Sequence, residues 1–232
     1  MISVCIATYN GSAYLSMQLS SILSQLAADD EVIISDDGST DDTLKIIEGL
    51  NDSRIHLISG PCLASPVRNF ENALLHSRGD VIFLSDQDDV WLDGKVAEMC
   101  KALEVSDCVT SNCLVTDDDL SVTHSSFFVL NRTKYGRAYN LLIKNGYLGC
   151  CMAFKRRILD KALPFPTDIP MHDIWLGNVA AFYYSVSFLD KPLIKFRRHD
   201  SNASPTARKS SYSLWRKIQF RFKVLIELLK RK

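Results

Sequence analysis

The sequence predicts an α/β protein: a doubly wound, mostly parallel sheet with helices on both faces, plus a C-terminal basic amphipathic helix. Three observations carry this. β-branched apolar runs at residues 2–7, 31–35, 55–59 and 81–85 alternate with segments of helical period, the pattern of strands buried between two helical layers. The resulting three βα units fit within roughly the first 85 residues. Finally, 232 residues that are 47% hydrophobic and 23% charged suffice for one sizeable domain with a short appendage, and exclude disorder for most of the chain.

The elements follow in order. Leu15, Leu19, Ile22, Leu23 and Leu26 repeat at helical spacing after the first strand. Leu44, Ile46, Ile47 and Leu50 do so after the second, and Phe70, Ala73 and Leu74 after the third. Downstream the pattern predicts a helix over 94–105, a strand over 108–115, an irregular stretch, a helix over 173–184 and a strand over 187–196. No repeat or low-complexity linker separates the halves, so residues 1–205 read as one domain and 206–232 as a separate tail.

Twenty-seven basic and 27 acidic residues cancel, which argues against a nucleic-acid binder relying on a cationic surface. The charge is unevenly placed: from Lys191 onward, 13 Lys/Arg face only Asp200 and Glu227. The seven cysteines are odd in number and contain no C-x-x-C pair, which speaks against a disulfide framework or a zinc site and for reduced thiols in the cytoplasm. Residues 1–7 lack the basic start and the length of a signal peptide, and no apolar run reaches a membrane span.

Ligands of open α/β sheets bind beyond the carboxyl ends of the strands. There the chain carries Thr8-Tyr9-Asn10-Gly11, then Asp36-Asp37-Gly38-Ser39-Thr40-Asp41-Asp42, then Asp86-Gln87-Asp88-Asp89. Carboxylates crowded at one edge repel unless a cation or a set of donors sits among them. With neither a G-x-G-x-x-G nor a P-loop present, an Asp-x-Asp that holds Mg²⁺ or Mn²⁺ is the available way to grip a diphosphate, and Asp86 and Asp88 are the candidates. Taken singly, Asp36 to Asp42 also fits a turn and helix cap, and Asp86 to Asp89 a solvated loop; their joint occurrence at successive strand ends weighs against both.

These strings, together with Met171-His172-Asp173-Ile174-Trp175 and Arg197-Arg198-His199, resemble glycosyltransferase family 2, of GT-A fold, over residues 1–204. Ser85-Asp86-Gln87-Asp88-Asp89-Val90-Trp91 and His172-Asp173-Ile174-Trp175 are most similar to its bacterial rhamnosyltransferase-like group. The resemblance implies that Thr8, Tyr9 and Asn10 line the nucleotide pocket, that Asp36 or Asp37 accepts from the base, that Asp86 lies near the ribose and that Asp88 ligates the metal. It makes Asp173 the catalytic base and places Gly149 and Cys150 beside the sugar and acceptor, with His172 in the same matching segment. Ala7 stands where many members have proline.

Further residues are candidates on chemical grounds. His199 suits a metal or diphosphate contact, Arg68 could reach the diphosphate, and Trp91 and Trp175 could stack on the acceptor sugar, though capping or core packing accounts for each as well. The expected reaction is an inverting transfer from a nucleotide diphosphate-sugar to a saccharide, with dTDP-rhamnose favoured by the resemblance, UDP-hexose next, and a lipid-linked acceptor of O-antigen or capsule assembly. Residues 81–90 also fit the motif of haloacid-dehalogenase-type phosphatases, with Asp86 as nucleophile, although that motif usually opens its domain. Asp36 and Asp37 as the acid pair of a receiver-like module is weaker still.

The tail places Leu214, Ile218, Phe222, Leu225 and Leu229 on one helical face, with Trp215 and Ile226 at its border and seven basic residues over 212–232. This predicts peripheral attachment to an anionic membrane at the inner face of the cytoplasmic membrane; docking of the helix on the protein itself is the alternative.

Overall fold

The computed structural model describes residues 1–199, 202 and 213–231. The first half is the expected βα alternation: β1 (Ile2–Thr8), α1 (Leu15–Leu23), β2 (Glu31–Asp36), α2 (Thr43–Gly49), β3 (Ile55–Ser59), α3 (Pro66–His76) and β4 (Val81–Ser85). Ser65 starts α3 by accepting from the Arg68 N–H at 3.4 Å, with Pro66 in the first turn, where its missing donor costs nothing. The second half comprises β5 (Val90–Trp91), α4 (Lys95–Leu103), β6 (Cys108–Thr116), β7 (Val122–His124), α5 (Phe127–Asn131), α6 (Arg137–Leu142), β8 (Met152–Lys155), α7 (Leu159–Ala162), α8 (His172–Tyr183), β9 (Val186–Arg197) and α9 (Leu214–Lys230). The stretch read as irregular thus holds two short strands, β7 and β8, and three short helices; none is long enough to show a period.

The sheet order is β3-β2-β1-β4-β8-β6-β9-β5, with β7 beside β6. The pairings β3-β2-β1-β4 are parallel, β8 runs antiparallel to both β4 and β6, and β9 is parallel to β6. β4, β6 and β9 therefore point the same way, and their carboxyl ends share one edge with those of β1 and β2. Thr8 pairs with Asp36 and Ile6 with Ser85, so the three polar strings leave the sheet side by side.

Alternation along the strands splits the core. Val4, Ile6, Val32, Ile34 and Phe83 face α1 and α4 on one side, while Cys5, Ile33, Ile82 and Leu84 face α3 and α8 on the other. The second layer includes Val224 and Leu228 of α9, each 1% exposed. Ser213 caps α9 through the Arg216 N–H at 3.2 Å. The helix is anchored by Tyr183 donating to the Leu228 carbonyl, Arg221 to the Ile143 carbonyl and Lys223 to Asp168.

The docking face is therefore not the apolar stripe that the sequence suggested. Val224 lies off that stripe, whereas Trp215, Ile218, Phe222, Ile226 and Leu229 are exposed and Leu225 is half-buried. The expected domain boundary at 205/206 lies outside the described residues. No described helix is long and apolar enough to cross a membrane.

Candidate active site

A cleft opens at the carboxyl edge, floored by β1 and β4 and walled by α3, the turn Gly149–Cys151, the start of α8 and the end of β9. Thr8 lines it, its hydroxyl donating to Asp36 at 2.8 Å. Tyr9 is 53% exposed beside it, its backbone clasped by Gln87, which accepts from Tyr9 N–H at 2.9 Å and donates to Tyr9 C=O at 3.1 Å.

Asn10 does not line the cleft. It adopts the left-handed conformation, φ 47°, and its side chain accepts from the Thr40 N–H at 2.8 Å, which ties the first loop to the second. Asp36 and Asp37 differ in their local bonding. Asp36 turns into its own loop, accepting from Thr8, Ser39 N–H (2.8 Å) and Ser39 O–H (2.6 Å), whereas Asp37 lines the cleft and accepts from Leu63 and Ser65 N–H groups at 3.3 Å. Arg68 also departs from expectation. Its guanidinium is committed to Glu71 (2.5 Å) and to the carbonyls of Phe165 (3.1 Å) and Pro166 (2.9 Å), away from the cleft.

The acidic string lies at the centre. Asp88 is bonded at 2.9 Å to His199 Nε2 and accepts from Asn202 at 2.8 Å, so side chains 111 positions apart in sequence meet. His199 stacks on Tyr14 with ring centroids 4.6 Å apart. Arg197 holds the string from beneath: its backbone N–H donates to Asp89 at 3.0 Å and its Nε to the Asp88 carbonyl at 2.9 Å. Asp86, Asp89 and Cys150 bring one ligand atom each within 4.8 Å of one another, an acid-rich group able to hold a cation. Burial, reinforced by Asp88 and Asp173, pushes the Asp86 carboxyl up to about 8.

Asp173, in the first turn of α8, borders the same cleft. Its two oxygens accept from Ile174 N–H at 2.7 Å and Gly149 N–H at 3.3 Å. Burial pushes its pKa up to about 6, outweighing those bonds and the helix N-terminus, so it is poised to change protonation near neutrality. His172 lines the cleft stacked on Phe70, centroids 3.9 Å apart, and burial pushes its pKa down to about 3, leaving it neutral. Neither of its ring nitrogens has a hydrogen-bond partner among the described residues. A Cβ on Gly149 would meet His172 Nε2 at 2.7 Å, so only glycine lets the turn approach this closely.

Three further expectations fail. Trp91 is buried against Phe83 and Lys95, and Trp175 is wholly buried with its indole donating to the Ala162 carbonyl at 2.9 Å; both are core residues, because the large apolar ring gains most by burial. Cys150 is wholly buried behind Gly149 and does not line the cleft. Conversely, Gln87, Asn202 and Lys95 went unread. Their only sequence signal is position, one inside the acidic string, one three residues after His199, one nine after Asp86.

The family model for glycosyl transferase family 2 matches residues 3–163, which take in the first three strand-end strings. The chain belongs to that family. The match also removes the phosphatase reading of Asp86, which follows the fourth strand of this domain rather than opening one. Among relatives, this glycosyltransferase is 29% identical over 215 residues to the dTDP-rhamnosyl transferase RfbG of Shigella flexneri, covering 84% of this chain and 72% of that one. It is 27% identical over 191 residues to the UDP-Glc:alpha-D-GlcNAc-diphosphoundecaprenol beta-1,3-glucosyltransferase WfgD of Escherichia coli, covering 76% and 69%. In three dimensions it superposes on Staphylococcus aureus TarS 1–349, solved with UDP-GlcNAc, at a TM-score of 0.71 with 17% identity, covering 99% of this chain and 72% of that one. The mannosyltransferase PcManGT of Pyrobaculum calidifontis, solved with GDP-Man and Mn²⁺, superposes at 0.64 with 22% identity, covering 99% and 63%. The fold is that of the GT-A glycosyltransferases.

The buried acid has a measurable consequence. The folded state holds the Asp173 proton up to about pH 6 while the unfolded chain releases it near pH 4, so folding stability falls as pH rises through that window. Asp173→Asn removes the cost of an ionised buried carboxylate. It is expected to raise Tm relative to wild type at pH 7.5, by an amount equivalent to about 1–3 kcal/mol, with no gain at pH 4. Thermal unfolding at the two pH values checks this.

Proposed function

We propose that the enzyme transfers a sugar, with inversion, from a nucleotide diphosphate-sugar to a saccharide acceptor in surface-polysaccharide assembly. The observation that supports this best is the placement of Asp173, with a pKa near neutrality, at the same cleft as Asp86, Asp88 and Asp37. On this reading Thr8, Tyr9 and Asp37 receive the nucleotide, Asp37 accepting from the base. Asp86 faces the ribose, and Gly149 and His172 border the sugar. Asp173 takes the proton of the acceptor hydroxyl while that oxygen bonds to the anomeric carbon, and the bond to the diphosphate oxygen breaks with departure of the nucleoside diphosphate. With Asp173 as the base and the other carboxylates of the cleft given to nucleotide and metal, single displacement inverts the configuration.

Asp88, with His199 beside it, offers the carboxylate and imidazole donors that suit Mn²⁺ or Mg²⁺. Such an ion, when bound, neutralises charge on the leaving diphosphate. Rhamnose is the favoured sugar, because the RfbG relative matches over most of both chains; UDP-hexoses come next, from the glucosyltransferase relatives. Several of these relatives act on undecaprenol-linked diphosphosugars by name, which favours a lipid-linked acceptor here.

The tail fits that acceptor. Trp215, Ile218, Phe222, Ile226 and Leu229 project from one side of docked α9, with Lys223 and Lys230 along one border, and Leu142 and Ile143, also exposed, lie where Arg221 reaches the Ile143 carbonyl. An apolar stripe beside basic residues on a helix fixed to the domain suits the headgroup region of an anionic membrane, so the enzyme works peripherally at the inner face of the cytoplasmic membrane.

Three measurements test these points. Asp173→Asn is expected to keep donor affinity and lose turnover by about 10²-fold or more, and normal turnover refutes the base. Calorimetry with dTDP-rhamnose, UDP-glucose and UDP-galactose should show tightest binding of the first, and weaker binding of all in EDTA than in Mn²⁺; unchanged affinity in EDTA eliminates the metal role. In vesicle sedimentation, anionic vesicles should retain the full chain, less so at high salt, but not a chain ending at Ser210. Equal retention of the two discards the anchor.

A further inference from the structure

One buried cation has no part in the reaction described above. Lys95 opens α4 just after Gly94, whose φ of 80° turns the chain inward, and the lysine is 0% exposed. Its ammonium donates to the Cys150 carbonyl at 2.7 Å and sits 4.4 Å from the centroid of the Trp91 ring. Burial pushes its pKa down to about 8, while Cys151, Cys150, Asp89 and Cys113 act in the opposite sense, so it remains charged at neutral pH. Asp89 is 1% exposed, with one carboxylate oxygen held by the Arg197 N–H.

A fully buried ammonium is costly to take out of water. Methionine would fill this space without the charge. The lysine is therefore hard to explain by stability, and its position suggests another reason. The Cys150 carbonyl that it holds belongs to the turn Gly149–Cys151, and the Gly149 N–H of that turn donates to Asp173 at 3.3 Å.

We propose that Lys95 is a positioning residue of the transfer site: it pins the turn whose Gly149 N–H orients Asp173. The inference rests on the reading of Asp173 as the base. Lys95 touches neither donor nor acceptor, so its loss acts on turnover rather than on donor affinity.

The test is steady-state kinetics and thermal unfolding of full-length Lys95→Met and Lys95→Gln, with Asp173→Asn alongside. Lys95→Met is expected to fold, with a donor KM within about threefold and a kcat reduced by about tenfold or more. Lys95→Gln keeps an amide donor for the Cys150 carbonyl without the charge and is expected to recover part of that loss. A folded Lys95→Met with kcat within twofold of wild type overturns the proposal, as does a fall in KM and kcat that merely follows a loss of Tm. If Lys95→Met does not fold, Lys95→Gln decides: folded with reduced kcat and unchanged KM it supports the positioning role, and with full kcat, or failing to fold as well, it overturns it. Normal turnover in Asp173→Asn overturns the base assignment itself. Loss there with full turnover in Lys95→Met overturns only the role of Lys95.

Discussion

The structure is organised around the electrostatic cost of bringing Asp86, Asp88, Asp89 and Asp173 to one sheet edge. Carboxylates that share a poorly solvated site raise one another's pKa unless donors and cations are supplied. Both halves of the chain supply them. β9 runs parallel to β6 and ends where Arg197 can clasp the backbone and side chain of the acidic string, and His199 and Asn202 then close on Asp88. From the opposite side α4 brings Lys95 under the turn that carries Gly149. Of the positive charge counted from Lys191 onward, Arg197 serves the site, while Arg216, Lys217, Arg221, Lys223 and Lys230 lie on the tail helix.

The compensation is incomplete, and that matters for the proposed chemistry. Asp173 receives two backbone N–H groups and the start of a helix, yet burial still lifts it to about 6. A carboxylate poised there takes a proton more readily than one held near 4 and remains ionised at neutral pH. The neighbouring imidazole of His172 is kept neutral by the same burial, so it adds hydrogen-bonding capacity without a charge. The buried carboxyl of Asp173 thus lowers folding stability as pH rises from about 4 to about 6.

The tail helix shows how one short element serves two surfaces. Val224 and Leu228 fill the layer against α8, while a separate stripe remains exposed and basic side chains flank it. Residues on opposite sides of a 17-residue helix can satisfy both demands because the periodicity of 3.6 keeps the two faces apart.

Local pattern made the fold legible. Strand runs and helical spacing depend on neighbours a few residues away, so β1 to β4, α4, β6, α8 and β9 could all be read within a residue or two, as could the polar strings at the strand ends. Short elements such as β7, β8 and α5 carry no period and could not be read. Partnership across the chain was likewise out of reach. Whether Asp36 or Asp37 faces the cleft turns on where Ser39 and Thr8 donate, and Arg68 is taken by carbonyls about 100 residues away. Trp91 and Trp175 are core residues because of which face of the sheet or helix they occupy, and Lys95 matters because Cys150 folds onto it. A sequence specifies which side chains have charge or apolar surface to satisfy; only the tertiary register decides which distant groups satisfy them, since Coulombic and hydrogen-bond energies depend on distances that the chain's local geometry does not contain.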